Sequence, residues 1–159
     1  ERRDVEEINA IAMQTANSIR DIVWFIKPEC DTLQDLTLRM RDVAETLLSG
    51  NEYRCRHAHP QPRRKLSLDF RQHVLLMFKE MLANAARHSG ASFVEIETLE
   101  ESGVWEMKVS DNGRGFDPEA HQQGNGLKNL QLRAQKIGGH LAVESRPGAG
   151  TTITFRVRL

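Results

Sequence analysis

The chain has 159 residues, enough for one domain with an additional segment. Its 22 basic and 22 acidic side chains cancel, so the overall charge gives no reason to expect binding to nucleic acid or contact with an anionic membrane. No apolar run is long enough to cross a bilayer, no secretion signal opens the chain, and the two cysteines lack a Cys-x-x-Cys spacing, which indicates a reducing compartment.

The first predicted element is a long helix over residues 4–26. Its apolar side chains recur at intervals of four and three in turn, which is typical of a helix that packs along another helix, and Pro28 ends it. One alternative is a helix that faces the core of the same domain. We favour part of a dimerisation hairpin, because the rest of the chain accounts for an α/β domain, and we predict a boundary between residues 1–28 and 29–159. The repeating positions, called the seam below, are Ile8, Ala12, Thr15, Ile19, Ile22 and Ile26.

A second helix is predicted over residues 32–49, with an apolar face directed to the core. Either Asp31 or Thr32 can cap its start, and Gly50 fits the position that follows its end. A short strand is predicted over residues 52–57.

A basic, proline-containing connector covers residues 54–65. We favour a solvated loop here. A nucleic-acid patch is disfavoured because the run contains no aromatic residue and the chain is neutral overall. A metal site built from Cys55, His57 and His59 is also disfavoured, because alternate positions on one strand do not enclose a metal.

A third helix is predicted over residues 69–88, where Asp69 and Gln72 match a capping box. One face is apolar, and the other carries polar residues at intervals of four. A buried polar stripe of this kind needs a ligand or a cation, since an unpaired carboxylate is costly away from water. The stripe consists of Glu80, Asn84 and His88.

Two antiparallel strands are predicted next, over residues 93–98 and 104–110. Asp111 follows the second strand and is placed to accept a hydrogen bond from an amine-bearing ring, while Gly113 and Gly115 would let such a ring approach the backbone. Taken alone, Asp-Asn-Gly-Arg fits a turn between strands equally well.

In residues 124–159 the pattern predicts a helix that begins with Gly124 and Gly126, followed by two strands separated by a glycine-rich turn. The free amides at a helix start form an anion site, to which Lys128 adds charge. The polar segment before this helix, residues 117–123, is predicted to be a mobile lid.

Four motifs occur in a fixed order over residues 66–159: FKEMLANAARHS, SDNGRGF, GNGLKNL and RPGAGTTITF. In this order they resemble the N, G1, G2 and G3 boxes of the ATP-binding catalytic domain of sensor histidine kinases, which is related to the gyrase, chaperone and mismatch-repair ATPases. The resemblance implies an α/β fold of the Bergerat type. This is a two-layer sandwich of a mixed, mainly antiparallel sheet with three helices on one face, from which the N-terminal helix protrudes.

The resemblance also implies roles for individual residues. Glu80 and Asn84 would be catalytic, and Asn84 would hold Mg²⁺ through its amide oxygen. Asp111 would bind the exocyclic amine of adenine, and Arg87 takes a position where many of these kinases carry lysine. The residues implied in binding ATP are Asn84, Arg87, His88, Asp111, Gly113, Gly115, Phe116, Gly124, Gly126, Leu127, Lys128 and Thr151.

By the same resemblance, the γ-phosphoryl group of ATP would pass to a histidine on a dimerisation helix and then to an aspartate of a response regulator. None of the chain's six histidines lies in a suitable helical context, so we expect the acceptor to lie outside these residues. A chain that begins without methionine is expected to be a piece of a longer protein, here the cytoplasmic portion of a membrane-bound, homodimeric sensor.

Two other functions stay open. One is a stand-alone ATPase or an anti-sigma-type serine kinase of the same fold, which the long helix before residue 28 disfavours. The other is a scaffold whose nucleotide pocket is vestigial, which the intact Asn84, Asp111 and glycine motifs disfavour.

Overall fold

The computed structural model describes residues 2–118 and 125–159, with the side chains of residues 2–4 left aside. Helices and strands account for most of this length, and a short π-helical segment follows the third helix. The elements are α1 (Arg2–Ile26), α2 (Leu33–Leu47), β1 (Glu52–Ala58), α3 (Leu68–Ala83), the π segment (Asn84–His88), β2 (Phe93–Glu101), β3 (Val104–Asp111), α4 (Asn125–Lys136), β4 (His140–Ser145) and β5 (Thr151–Arg158).

The five strands form one sheet in the order β1-β2-β3-β5-β4. Strands β1 and β2 are parallel and are joined through α3, whereas the other neighbours are antiparallel. The predicted antiparallel pair is confirmed, and its turn is formed by Ser102 and Gly103 with positive φ angles of 53° and 77°.

One face of the sheet is covered by α2, α3 and α4, and the side chains between them form a single core. Strand β3 shows how the sequence selects this arrangement. Its alternate residues Trp105, Met107 and Val109 are at most 3% exposed. Trp105 makes edge-to-face contacts with the rings of Phe70 and Phe155. The predicted two-layer α/β sandwich is confirmed.

The other face of the sheet is open to solvent and carries cross-strand ion pairs. Lys108 Nζ lies 2.5 Å from Glu97 Oε2, and Arg56 Nη2 lies 2.8 Å from carboxylate oxygens of both Glu95 and Glu97. Positive and negative side chains alternate across neighbouring strands, so this face neutralises its own charge.

Helix α1 is attached by one side only to the layer formed by α2 and α3. Asp21 forms ion pairs with Arg39 of α2, at 2.8 Å, and with Lys79 of α3. Trp24 lies 5.4 Å from the guanidinium of Arg71. At 100° per residue, Asp21 and Trp24 point away from the seam, whose isoleucines are 55–71% exposed.

The caps correct two predictions about helix ends. Thr32 caps α2 in a capping box with Asp35, as one of the two predicted alternatives, but α2 ends at Leu47, so Gly50 lies beyond the position predicted for it. Helix α3 begins at Leu68 rather than at Asp69, because Ser67 Oγ accepts a hydrogen bond from Phe70 N at 3.1 Å. In the described part of the chain, no helix combines the length and the apolar character that crossing a membrane would require.

Candidate functional site

A cavity of about 560 Å³ lies at the C-terminal end of α3, above β3 and β5 and beside the start of α4. This volume falls in the range of small-molecule sites. The cavity is lined by nine of the residues predicted from the sequence: Glu80, Asn84, His88, Asp111, Gly115, Phe116, Gly126, Leu127 and Thr151.

The π segment determines which side chains of the N box reach the cavity. The amide of Asn84 donates to the carbonyls of both Glu80 and Met81, where the helix changes from α to π geometry. Such widened turns are frequent at functional sites. Arg87 consequently lines a second cleft rather than the cavity, while His88, one residue later, lines the cavity.

Asp111 stands at the end of β3, half-buried in the cavity wall. Its Oδ1 accepts a hydrogen bond from the Gly113 amide at 2.9 Å. Burial raises the pKa of the carboxyl, and hydrogen bonds from the Gly113 amide, the Ser89 hydroxyl and the Thr151 amide oppose that rise. The carboxylate therefore has donors that hold its orientation and an open side toward the cavity.

The two glycines of the loop after β3 are required by contacts within the protein. A Cβ on Gly113 would lie 2.4 Å from the carbonyl oxygen of Ser89, and Gly113 itself does not line the cavity. A Cβ on Gly115, whose φ is 58°, would lie 2.0 Å from the carbonyl oxygen of Arg146. These glycines let the loop pack closely against other parts of the protein, and the cavity geometry gives no support to the prediction that Gly113 admits a ligand ring.

The start of α4 forms another part of the cavity wall. Gly126 and Leu127 line the cavity, and a Cβ on Gly126 would lie 2.6 Å from Oε1 of Glu80. Lys128 is exposed and lines neither the cavity nor the second cleft. Gly124 and residues 119–123 of the predicted lid lie outside the described residues.

The turn before β5 closes the cavity near Thr151. Ser145 Oγ accepts from the Phe116 amide at 2.9 Å and lies 2.9 Å from Thr151 Oγ1. It also donates to the Gly150 carbonyl at 3.1 Å. One hydroxyl thus joins the loop after β3 to the turn before β5.

Five lining residues were missed from the sequence. Val109 and Ile153 lie two positions from Asp111 and Thr151 on the same strand faces, so the period of two could have identified them. The other three lie inside the N and G1 boxes, so their place in a box was the signal available for them; they are Met81, Ser89 and Arg114.

The second cleft has a volume of about 720 Å³ and lies between α1 and the layer formed by α2, α3 and α4. Glu80 lines this cleft as well as the cavity, and Arg87 and Arg133 contribute positive charge. The carboxylate of Glu80 makes no ion pair or hydrogen bond with the described residues. Glu80 is therefore accessible from both sides.

A further polar cluster lies at the far end of β1 and β2. Thr98 Oγ1 is 2.7 Å from Nδ1 of His57 and 2.9 Å from Nε2 of His59. Burial, and to a smaller degree the charges of His59 and Arg41, lowers the pKa of His57 to about 4. No group of three or more metal-binding side chains with suitable geometry occurs among the described residues, these histidines included.

Comparison with known proteins gives the family. The pattern of the histidine kinase-, DNA gyrase B- and HSP90-like ATPases matches residues 70–159, which is more than half of the chain. The chain belongs to this ATPase family. The matched residues of the ATPase domain include the N box, both sides of the cavity and the final strand, and the assignment made from the four motifs is confirmed.

Named relatives point to sensor kinases. The domain is 33% identical over 88 residues to the sensor protein VraS of Staphylococcus epidermidis, covering 55% of this chain and 25% of that protein. It is 31% identical over 96 residues to VraS of Staphylococcus aureus, covering 60% and 28%. The chain thus spans about a quarter of the length of these relatives.

Solved structures agree on the fold. The histidine kinase domain of the blue-light activated histidine kinase EL346 from Erythrobacter litoralis superposes with a TM-score of 0.65 at 21% identity, covering 80% of this chain and 61% of that one. At this identity the likeness establishes the fold of the ATPase domain alone.

Proposed function

We propose that the chain binds Mg-ATP in the cavity and transfers the γ-phosphoryl group to a histidine outside these residues, for relay to an aspartate of a response regulator. The observation that carries this proposal is that one cavity is lined by residues from all four boxes, including Asn84, Asp111, Gly126 and Thr151. A reaction of this type asks the protein chiefly for positioning and charge neutralisation.

Adenine would lie against the sheet. Asp111 accepts a hydrogen bond from its exocyclic amine, and Thr151 adds a hydroxyl at the neighbouring strand position. Val109 and Ile153, both buried, offer apolar surface to the ring. The combination of one carboxylate, one hydroxyl and an apolar floor suits a flat base with one amine.

The phosphates would extend toward the π segment and the start of α4. Asn84 makes no side-chain hydrogen bond with the described residues, so its amide oxygen is available to Mg²⁺, a cation that prefers oxygen ligands. Bound Mg²⁺ would neutralise phosphate charge. Gly126, Leu127 and His88 line the same cavity, and the free amides at the start of α4 suit a phosphate group. Arg87, Lys128 and Gly124 remain candidates for phosphate contact without support from the cavity geometry.

The role proposed for Glu80 follows from its position between the cavity and the second cleft, both of which it lines. A nucleophilic imidazole that enters through the second cleft meets this carboxylate before it meets the nucleotide. Glu80 would accept a hydrogen bond from one ring nitrogen and orient the other toward the phosphorus atom.

Residues 1–28 are proposed to be the end of a dimerisation helix and its linker. Because the attached side of α1 carries Asp21 and Trp24, the exposed seam is left for a helix of the same hairpin and for a second copy of the protein. The full protein is then a homodimer, and this portion lies in the cytoplasm without touching membrane or nucleic acid.

The test is a calorimetric titration of the 159-residue chain with a non-hydrolysable ATP analogue and Mg²⁺. Asp111→Asn should weaken binding at least about tenfold, since it replaces a charged acceptor. Asn84→Ala should abolish the dependence on Mg²⁺. Asp69→Asn, the same change at an exposed carboxyl, is the control.

Each alternative function predicts a different result. Failure of the folded, unaltered chain to bind any adenine nucleotide would refute the proposal and favour a scaffold. Steady ATP hydrolysis, or transfer to serine, would favour a stand-alone ATPase or a serine kinase. Transfer from ATP to a separately supplied histidine-bearing dimerisation hairpin would support the kinase.

A further inference from the structure

Ser145 ends β4 and belongs to a row of three polar residues on neighbouring strands. In the sheet register it lies opposite Thr151 of β5, and Thr151 lies opposite Asp111 of β3. Residues directly opposite each other on paired strands point to the same face of the sheet. Thr151 and Asp111 both line the cavity, whereas Ser145 is half-buried and does not line it. Ser145 can therefore affect a ligand only through its neighbours in the row.

The hydroxyl of Ser145 has three hydrogen-bonding partners. The Phe116 amide, at 2.9 Å, can only donate to it, whereas the Gly150 carbonyl, at 3.1 Å, can only accept from it. The third partner is Thr151 Oγ1 at 2.9 Å, which can act in either role. A hydroxyl carries one hydrogen, and here the Gly150 carbonyl receives it. All three contacts are hydrogen bonds only when Thr151 donates its own hydrogen to Ser145.

The direction of this last bond determines what Thr151 offers to a ligand. Because its single hydrogen is used within the protein, its oxygen can only accept a hydrogen bond from a ligand. The ionised carboxylate of Asp111 also only accepts. Two neighbouring strand positions thus present two acceptors to the base. A 6-amino group, which has two hydrogens on one nitrogen, suits this pair, whereas a 6-keto oxygen is itself an acceptor and is disfavoured.

We propose that Ser145 is a positioning residue for base selection, which keeps the Thr151 hydroxyl in the role of acceptor and so favours an amine over a carbonyl at position 6 of the purine. This inference rests on the proposed function, in which Asp111 and Thr151 contact adenine. It adds a residue from outside the four boxes, because Ser145 directly precedes the last of them.

The experiment is a calorimetric titration of the full 159-residue chain with three nucleotides in Mg²⁺. ADP carries the amine, IDP carries the carbonyl, and purine riboside diphosphate carries neither and is the reference. The unaltered chain should bind ADP more tightly than the reference by about tenfold or more, as expected for a hydrogen bond to a charged acceptor.

Ser145→Ala should change the relative affinities in one direction. Thr151 can then turn its hydrogen toward the base, so IDP should gain about three- to tenfold relative to the reference, the size of one hydrogen bond, while ADP should gain nothing. The hydrogen on N1 of IDP is the same with both chains, so comparing the chains isolates the change at Thr151. Ser145→Cys, of nearly the same size but with a weakly bonding thiol, should shift the ratio in the same direction and serves if the alanine variant does not fold.

The ratio of IDP to reference affinity separates positioning from a structural role. If Ser145 only maintains the fold, its replacement weakens all three nucleotides equally, and that result would overturn the proposal. Ser110→Ala is the matched control, because Ser110 forms the same kind of cross-strand pair, accepting from Thr152 of β5 at 3.0 Å, and neither residue lines the cavity. Its ratios should stay within about twofold of the unaltered values.

A double variant tests whether Ser145 acts through Thr151. Thr151→Val removes the hydroxyl, so adding Ser145→Ala to it should leave the ratio of IDP to reference affinity unchanged. A gain for IDP as large as that of Ser145→Ala alone would contradict the mechanism. If the unaltered chain binds ADP no more tightly than the reference, the proposed function itself fails. If that preference holds but Ser145→Ala leaves the IDP ratio unchanged, only the inference about Ser145 fails.

Discussion

Replacing Gly113 by alanine tests the packing between the N box and the loop after β3. The new Cβ would lie 2.4 Å from the Ser89 carbonyl oxygen, 2.5 Å from its Cβ and 2.6 Å from its hydroxyl oxygen. Backbone φ at Gly113 is not in the left-handed region, so the cost arises from the collision and not from conformational strain.

The size of the effect follows from these distances. Moving the closest pair from 2.4 to 3.0 Å, the shortest separation that real Cβ atoms tolerate, requires the loop and the helix end to separate by about 0.6 Å. Inserting one methyl group into a packed contact costs about 1–3 kcal/mol. For a chain of this length that corresponds to a fall in Tm of roughly 2–12 °C. Displacing the Gly113 amide from Asp111 should also weaken adenine nucleotides by about three- to tenfold.

Urea unfolding and calorimetric titration measure the two effects. Gly50→Ala is the matched control, since nothing lies within 4 Å of a Cβ there and φ is not positive. Its unfolding free energy and nucleotide affinity should stay within about 0.5 kcal/mol of the unaltered values. If Gly113→Ala is as stable and binds as tightly as Gly50→Ala, the described contact with Ser89 does not hold.

Two further predictions concern the polar cluster and α1. The pKa of His57 is about 4 in the folded chain, whereas an unperturbed histidine has a pKa of 6.5. The unfolded chain therefore takes up a proton first as the pH falls, so stability that is present above about pH 6.5 is lost as the pH approaches 4. His57→Gln should reduce the difference in unfolding free energy between pH 7 and pH 4.5 by about 1–2 kcal/mol, a figure lowered to allow for partial exposure. The same change at exposed His140 should leave that difference unchanged. If the pH dependence of stability is the same for His57→Gln and the unaltered chain, the assignment is contradicted. Ile22→Lys on the seam should weaken self-association at least about tenfold in sedimentation equilibrium, because it removes an apolar contact from each copy. Met13→Lys should not weaken it, because Met13 is also exposed, at 67% against 55% for Ile22, but lies off the seam; a monomer at all concentrations would speak against the seam as an interface.

Local patterns were sufficient to predict most of the fold. Strand β3 shows an alternation of apolar and charged residues that fits only a sheet with one covered face, and Trp105 to Val109 lie where the period of two puts them. The four boxes likewise predicted the cavity, because each contributes lining residues at or near the end of a helix or strand.

Features set by contacts between distant residues were not predictable. Arg87 turns away from the cavity because the helix widens at Asn84, and no residue type there signals a π turn. The reason for Gly113 is a collision with Ser89, 24 positions earlier, which no local rule contains. At the start of α3, Ser67 and Asp69 are both good caps, and the tertiary structure selects the earlier one.

The parallel pairing of β1 with β2 has a consequence for how nucleotide binding and folding are linked. Helix α3 and the π segment, which carry Glu80 and Asn84, form the crossover that joins these two strands, so both ends of this segment are held by the same ladder. The pairing of residues 52–58 with 93–99, the only parallel contact among the described strands, therefore holds the crossover at both of its ends. The ligand binds a segment that is anchored to the sheet on both sides. We expect the free energy of nucleotide binding to add to the stability of the entire domain rather than to that of a local unit.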